Sequence, residues 1–284
     1  MESKLPITCE ERVCELDADS LVYRLAFMVD LMEGGEQLCA QMVDGTMAKI
    51  YDGAQATKVN VYLGTDTNYR LDIAKTFKYK GNRDDKERPQ FYDAIRSRFV
   101  NIYNAQLIHE REAEDAVGIA AMQHKYYDDY VIGAIDKDMK MIPGYHFNYV
   151  KMTLEFIDPV QAARNFYMQL MTGDKSVDNI PGLYHLLLTD EKEEEAKKLK
   201  GSRYKKKLEA KLAELSDPVD MYNTVMEYYK EYGEIERHGY ERVKEVGQLL
   251  WIQRDINHIW EPGEDNQDII KSVTQEHRDD SNRI

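Results

Sequence analysis

The chain has 284 residues, 43% of them hydrophobic and 32% charged, with a formal net charge of −14. That apolar content excludes wholesale disorder, and no apolar run approaches the length a membrane-spanning helix needs. Acid in this excess argues, taken alone, against a nucleic-acid binder. The distribution says more than the sum: bases collect around 70–98 and 197–211, and acids collect where strands end.

The opening Met1-Glu2-Ser3-Lys4-Leu5-Pro6 shows no basic stretch followed by an apolar one, so no secretory signal is expected. A first strand is expected at 13–16, ending in Asp17, followed by a helical pattern over 20–50 that Gly34-Gly35 interrupts. Residues 59–63 alternate as a second strand, closed by Gly64-Thr65-Asp66. The segment 67–100 is charged and amphipathic, and 106–109 reads as a short strand. A helix over 112–127 gathers Ala113, Ala116, Val117, Ala120 and Ala121 on one side. The apolar run 131–135 is typical of a buried parallel strand and ends in Asp136. Beyond Asp158 the pattern is helical with no clear strand, with helices expected at 159–171, 191–215, 217–232 and 239–258. The chain therefore divides into an α/β part (1–157), a helical part (158–260) and a loose acidic tail (261–284). Cys9, Cys14 and Cys39 form neither a disulfide framework nor a zinc pattern; reduced thiols in a cytoplasm are expected.

Alternating strands and helices with acids at strand ends describe an α/β sheet that binds ligands beyond its carboxyl edge. An isolated aspartate after a strand is usually a turn residue, but here Asp17, Asp66 and Asp136 all follow strands. Glu112-Ala113-Glu114-Asp115 and Asp136-Lys137-Asp138 add further carboxylates, as do Asp174 and Asp178 in the 173–182 segment. For the first of these the plain alternative is favourable charge at a helix N-terminus. A packed set of carboxylates needs cations to stay ionised. Oxygen ligands without cysteine or histidine favour Mg²⁺ or Mn²⁺, and a pair of such ions suits phosphodiester displacement. Tyr69-Arg70 and Phe77-Lys78-Tyr79-Lys80-Gly81-Asn82-Arg83 interleave bases with aromatics, a pattern for phosphates and unpaired bases. The run 197–211, including Lys205-Lys206-Lys207, reads as either a solvated helix face or a duplex-backbone grip.

Taken in order, these motifs resemble the phage members of the 5′-nuclease (flap endonuclease-like) family, related to the 5′-nuclease domain of bacterial DNA polymerase I. The matching pieces are Leu16-Asp17-Ala18-Asp19, Asp66 with Tyr69-Arg70, Tyr79-Lys80-Gly81-Asn82-Arg83, Glu112-Ala113-Glu114-Asp115, Asp136-Lys137-Asp138, and Gly173-Asp174 through Asp178-Asn179-Ile180-Pro181-Gly182. The resemblance implies an α/β core with a mostly parallel sheet, a helical arch over about 67–100, and a C-terminal helical region containing a degenerate helix-hairpin-helix. It implies a metal-dependent 5′→3′ exonuclease or structure-specific 5′ nuclease using two Mg²⁺ ions, with Mn²⁺ as a substitute. Asp66, Glu112, Glu114, Asp115 and Asp136 would serve the first metal, Asp138, Asp174 and Asp178 the second, and Asp17 belongs to the same acidic cluster. Lys80 and Arg83 would act at the scissile phosphate; Tyr69, Arg70, Lys78 and Lys205 to Lys207 would join them in holding DNA. The implied partners are double-stranded DNA with 5′ ends or flaps and RNA–DNA hybrids, met by a monomer away from membranes during DNA replication. The sequence departs from the family at Val177, which lengthens the usual Gly-Asp-x-x-Asp by one residue, and after Pro181-Gly182, where the Gly-x-Gly is missing. A haloacid-dehalogenase-type phosphatase would also use Asp17-Ala18-Asp19, but leaves Glu112, Glu114 and the basic segment unexplained. A DNA-binding protein without catalysis is the third reading.

Overall fold

The computed structural model describes residues 11–83, 87–200 and 202–263. The central element is β1 (Val13–Asp17), whose side chains are almost all buried. Burial on both faces is what a parallel strand in the middle of a sheet requires. Helices α1 (Asp19–Leu31) and α2 (Glu36–Gly53) follow, parted at Gly34-Gly35 as the sequence suggests. Next come β2 (Lys58–Gly64), the single turn α3 (Arg70–Ile73), a 3₁₀ turn over Gly81–Arg83, and α4 (Tyr92–Tyr103). Then β3 (Gln106–Ile108), α5 (Ala113–Ala121), β4 (Tyr130–Gly133), β5 (Gly144–Asn148) and β6 (Thr153–Ile157) complete the sheet part.

The six strands lie in the order β3-β2-β1-β4-β5-β6. All pair in parallel except β6, which is antiparallel to β5. The chain leaves β1 toward β2 on one side and returns to β4 on the other. The carboxyl ends of β1, β2 and β4 thus surround a topological switch point, where such sheets bind ligands.

The helical part begins with α6 (Pro159–Thr172), capped by the Asp158 carboxylate, which accepts from the Gln161 amide at 2.8 Å, with Pro159 in the first turn. A two-strand hairpin, β7 (Gly173–Asp174) and β8 (Ile180–Pro181), interrupts the helices. Gly173 is required there: its φ is +67°, and an added Cβ would lie 2.3 Å from the Gly182 nitrogen. The remaining helices are α7 (Leu183–Thr189), α8 (Glu193–Leu199), α9 (Ser202–Ala213), α10 (Pro218–Glu231), α11 (Glu234–His238) and α12 (Glu241–Leu250).

Two hydrophobic clusters hold these parts. One joins Leu16, Val61, Phe99, Val117 and Ile132 around the sheet, and the other joins Phe166, Leu186, Leu212, Tyr229, Trp251 and Trp260 among the helices. Tyr79 and Met141, from the sheet part of the sequence, belong to the helical cluster, and Ile252 belongs to the sheet cluster. Among the described residues no helix is long and apolar enough to cross a membrane.

The mostly parallel sheet flanked by helices is the architecture expected from the sequence. Five details correct the sequence reading. Residues 67–100 are not one helix: Lys80 takes a left-handed φ of +53°, Pro89 precedes α4, and residues 84–86 lie outside the described set. The β5–β6 hairpin was unforeseen, as was the β7–β8 pair. The helix expected over 191–215 is two, α8 and α9, and that expected over 239–258 stops at Leu250. Most of the expected tail, 264–284, lies outside the described residues.

Candidate active site

Beyond the carboxyl edge of the sheet is a cleft of about 540 Å³. Its acids arrive from several elements. Asp17 ends β1; Asp19 opens α1; Glu112 and Glu114 sit at the start of α5; Asp136 follows β4; Asp178 lies in the β7–β8 turn. Tyr23, Tyr92, Lys80, Arg83, Arg88 and Arg96 complete the walls.

Asp19 is placed by Gly64. The Gly64 amide donates to both Asp19 carboxylate oxygens at 3.1 Å, and a Cβ at Gly64 would meet Asp19 Oδ2 at 2.8 Å. Asp19 in turn donates its own amide to Asp17 Oδ1 at 3.1 Å. Sequence reasoning quoted Asp19 only as part of a motif and assigned it no role. The usable signal was its position at the first turn of a helix following a strand end.

The electrostatics of the cluster are those of crowded anions. Burial, then the charge of Asp19, pushes the Asp17 carboxyl up to about 8. Burial likewise raises Asp19, Glu114 and Asp178, and Glu114 also feels Glu112, Asp136 and Asp17. Glu112 goes the other way: against the cost of its burial, Lys80 and Arg70 hold it down at about 2. One ammonium therefore serves one carboxylate, and the rest of the cluster is short of positive charge. All-oxygen donors in that state fit hard divalent cations.

Lys80 and Arg83 lie at the cleft by backbone design. The Lys80 amide donates to the Asp178 carbonyl at 2.9 Å, and the Arg83 amide to the Lys80 carbonyl at 2.9 Å. The Lys80 ammonium pairs with Glu112, and the Arg83 guanidinium pairs with Asp178. The Tyr79 hydroxyl donates to Glu112 at 2.9 Å. A non-glycine residue held at positive φ, as Lys80 is, marks a place where surrounding contacts over-determine the backbone. Val177 does not exclude Asp178 from the cleft, because the β7–β8 turn absorbs the extra residue.

Other expected site residues are elsewhere. Asp66 stands at the rim with its side chain 95% exposed, 3.4 Å from Arg88, apart from the buried acids. Asp115 is not available to a cation. It is fully buried, its two oxygens accept from Arg70 at 2.6 and 2.8 Å, and they also accept the amides of Glu112 and Gln253. Arg70, equally, does not face DNA: it is 1% exposed and also donates to the carbonyls of Leu249 and Trp251. This pair is a fastening between α5, which carries Glu112 and Glu114, and the chain after α12. Tyr69 lies against Arg70 with its hydroxyl buried, so it too differs from an exposed stacking residue. Lys78 is exposed beside the Lys80 turn.

Neither Asp138 nor Asp174 lines the main cleft, though Asp138 shares a small adjoining cavity with Glu112, Glu114 and Asp178. The Asp138 amide donates to Asp136 Oδ1 at 2.9 Å, and its carboxylate accepts from Lys137 and Gln169. Asp174 lines a neighbouring groove with Lys137, Lys140, Lys175 and Lys205. Lys205, Lys206 and Lys207 are exposed on α9, and only Lys205 reaches that groove. The hairpin after Gly182 turns through Glu191 at φ +60° in place of a glycine. Its Asp190 is held by Arg237 at 3.1 Å and Arg242 at 2.9 Å, with His238 at 2.8 Å. Asp190, Glu234 and His238 are close enough to share an ion, but Arg237 and Arg242 already supply the countercharge.

No family model matches the sequence, and no curated protein matches it. Among solved structures, the chain is similar to the flap endonuclease of bacteriophage T5, crystallised as a pseudo-enzyme–product complex with DNA and metal ions. The identity is 12%, the match covers 93% of this chain and 100% of that chain, and the TM-score is 0.46.

Proposed function

We propose that this chain is a divalent-cation-dependent nuclease that hydrolyses phosphodiester bonds at 5′ ends or flaps of duplex DNA. One observation carries the reading: Asp17, Asp19, Glu112, Glu114, Asp136 and Asp178 converge on one cleft, where Lys80 and Arg70 meet Glu112, Arg83 meets Asp178 and Arg96 stands near Asp19, while Asp17, Glu114 and Asp136 have no arginine or lysine at salt-bridge distance among the described residues. These six carboxylates would hold the cations, Mg²⁺ or Mn²⁺. Bound there, such ions neutralise the acids and polarise a phosphodiester.

The chain's own residues supply the rest. Lys80 and Arg83 offer an ammonium and a guanidinium to the phosphate oxygens, where negative charge grows in the transition state. Their partners Glu112 and Asp178 release them as cations take over those carboxylates. Tyr23, exposed at the cleft and packed against the buried Tyr92 with ring centroids 4.7 Å apart, offers an aromatic side chain to an unpaired base. The exposed lysines of α9 suit the backbone of a duplex. The hybrid of RNA with DNA, the phage origin and the replication role suggested by the sequence resemblance belong to the same proposal.

The test is degradation of 5′-labelled duplex and flap DNA with Mg²⁺ and with EDTA, alongside a generic phosphate ester. Asp136→Asn should cost orders of magnitude in DNA cleavage with its fold intact. Cleavage that survives EDTA or this substitution, or ester hydrolysis without DNA cleavage, refutes the assignment.

A further inference from the structure

The Asp138–Asp174 pair departs from what a second divalent ion would need, and this inference rests on the nuclease reading just given. Asp136 and Asp138 are near neighbours in sequence, but Asp136 lines the main cleft while Asp138 borders it only through a small cavity shared with Glu112, Glu114 and Asp178. The turn in which the Asp138 amide bonds Asp136 Oδ1 sends Asp136 into the main cleft and Asp138 toward α6, where Gln169 donates to it. Asp174 reaches the same place from β7. Between the two carboxylates lies the Lys137 ammonium, 2.7 Å from Asp138 Oδ1 and 2.6 Å from Asp174 Oδ2.

The other Asp174 oxygen is also engaged, while on Asp138 both Lys137 and Gln169 donate to Oδ1. Asp174 Oδ1 accepts from the Val177 amide at 3.2 Å and faces the Ser176 hydroxyl at 3.5 Å. The Asp174 carboxylate is 4% exposed and that of Asp138 13%, whereas the Lys137 side chain is 62% exposed along the neighbouring groove. The acids are thus sheltered, and the cation between them is the exposed member. A divalent ion can enter only by displacing an ammonium tethered to the same loop. Such a tether keeps its charge at an effective concentration of roughly millimolar or more, and the displaced bonds are charge-assisted ones.

We propose that Lys137 is a built-in cation that fills the Asp138–Asp174 pair in place of a divalent ion, so that divalent ions bind the wild-type chain at the Asp17–Asp136 cleft alone. One ammonium offsets one of the two carboxylates, and the remaining single negative charge is spread by the neutral donors Gln169 and the Val177 amide.

The experiment counts Mn²⁺ bound to the full metal-free chain without DNA, from the electron paramagnetic resonance signal of the free ion. Lys137→Met should bind one more Mn²⁺ per chain than wild type, and Asp174→Asn added to it should remove that ion. Equal stoichiometry and affinity in wild type and Lys137→Met overturns the proposal. Lys137→Gln, which keeps a donor but no charge, repeats the comparison if the methionine variant does not fold. Anomalous scattering from wild-type crystals soaked in Mn²⁺ gives an independent reading: a peak between Asp138 and Asp174 overturns the proposal, and a peak at the cleft alone supports it. The failures separate. A wild type that binds no Mn²⁺ removes the cleft reading, and the gain in Lys137→Met still decides this one. A wild type that already fills both places removes this one alone.

Discussion

Replacing Arg70 with methionine tests whether the buried Arg70–Asp115 pair fastens the acidic helix terminus to the rest of the chain. Arg70 donates four hydrogen bonds: two to Asp115, one to the Leu249 carbonyl and one to the Trp251 carbonyl. Methionine fills much of the volume and donates none of them. Asp115, with no solvent exposure, would keep only the amides of Glu112 and Gln253. Breaking one partner out of a buried pair costs about 3–5 kcal/mol, and each carbonyl left unpaired adds to that. Against a usual total of about 5–15 kcal/mol, the loss is large. The assay is urea unfolding followed by tryptophan fluorescence, because Trp251 and Trp260 lie in the helical cluster next to this pair. The midpoint should fall steeply. Removing the charge from both partners, Arg70→Met with Asp115→Leu, should recover part of the loss, since no lone carboxylate is then buried. A single-variant loss below about 1 kcal/mol, or a double variant worse than the sum of its parts, would refute the reasoning.

Three more outcomes are expected. Because the folded Asp17 carboxyl is raised from 3.8 to about 8 by burial and Asp19, the metal-free protein holds that proton more tightly than the unfolded chain does. The associated stability is full below pH 3.8 and is lost as pH rises through about 8, so the melting temperature in EDTA should fall across that window. Mg²⁺ should raise the melting temperature by an increment that grows with pH; an increment that does not change with pH would show that the acids do not hold the ion. Lys80→Ala should lower the single-turnover cleavage rate far more than it raises Kd, and a variant that only binds more weakly would make Lys80 a plain electrostatic contact. Neutralising Lys205, Lys206 and Lys207 together should flatten the dependence of log K on log salt by roughly 0.9 per lost phosphate contact, whereas an unchanged slope would leave α9 a solvated face.

The carboxylate cleft was readable in the sequence to the extent that strand ends were. Asp17 and Asp136 follow apolar runs that only buried strands explain, and Glu112 and Glu114 open an alanine-rich helix. Position along an element then fixed which edge of the sheet they share. What the sequence withheld was direction. Tyr145 and His146 make β5 look like a loop, although His146 is buried and donates to the Ile142 carbonyl 2.8 Å away. The turn into β6 passes through Met152 at φ +54°, with none of the Asn-Gly chemistry that signals a hairpin.

The misplaced site residues share one physical cause. A charged side chain announces its charge in the sequence, but not the partner that decides whether it faces water, a ligand or the core. Arg70 sits among bases and aromatics, and local sequence alone makes it a phosphate contact. Its burial depends on Asp115, 45 residues on, and on carbonyls 179 and 181 residues away. Asp138 and Asp174 were grouped with the other acids by type, yet Lys137 claims both. Asp178 is the reverse case: Val177 seemed to push it out of register, and a longer turn tied to the Lys80 amide brings it back. A net charge of −14 is therefore compatible with local excesses of either sign. In this chain Asp115 and Asp190 are tied to arginines and serve the structure, whereas Asp17, Glu114 and Asp136 have no arginine or lysine at salt-bridge distance among the described residues and are, together with the paired Asp19, Glu112 and Asp178, the acids proposed to hold cations.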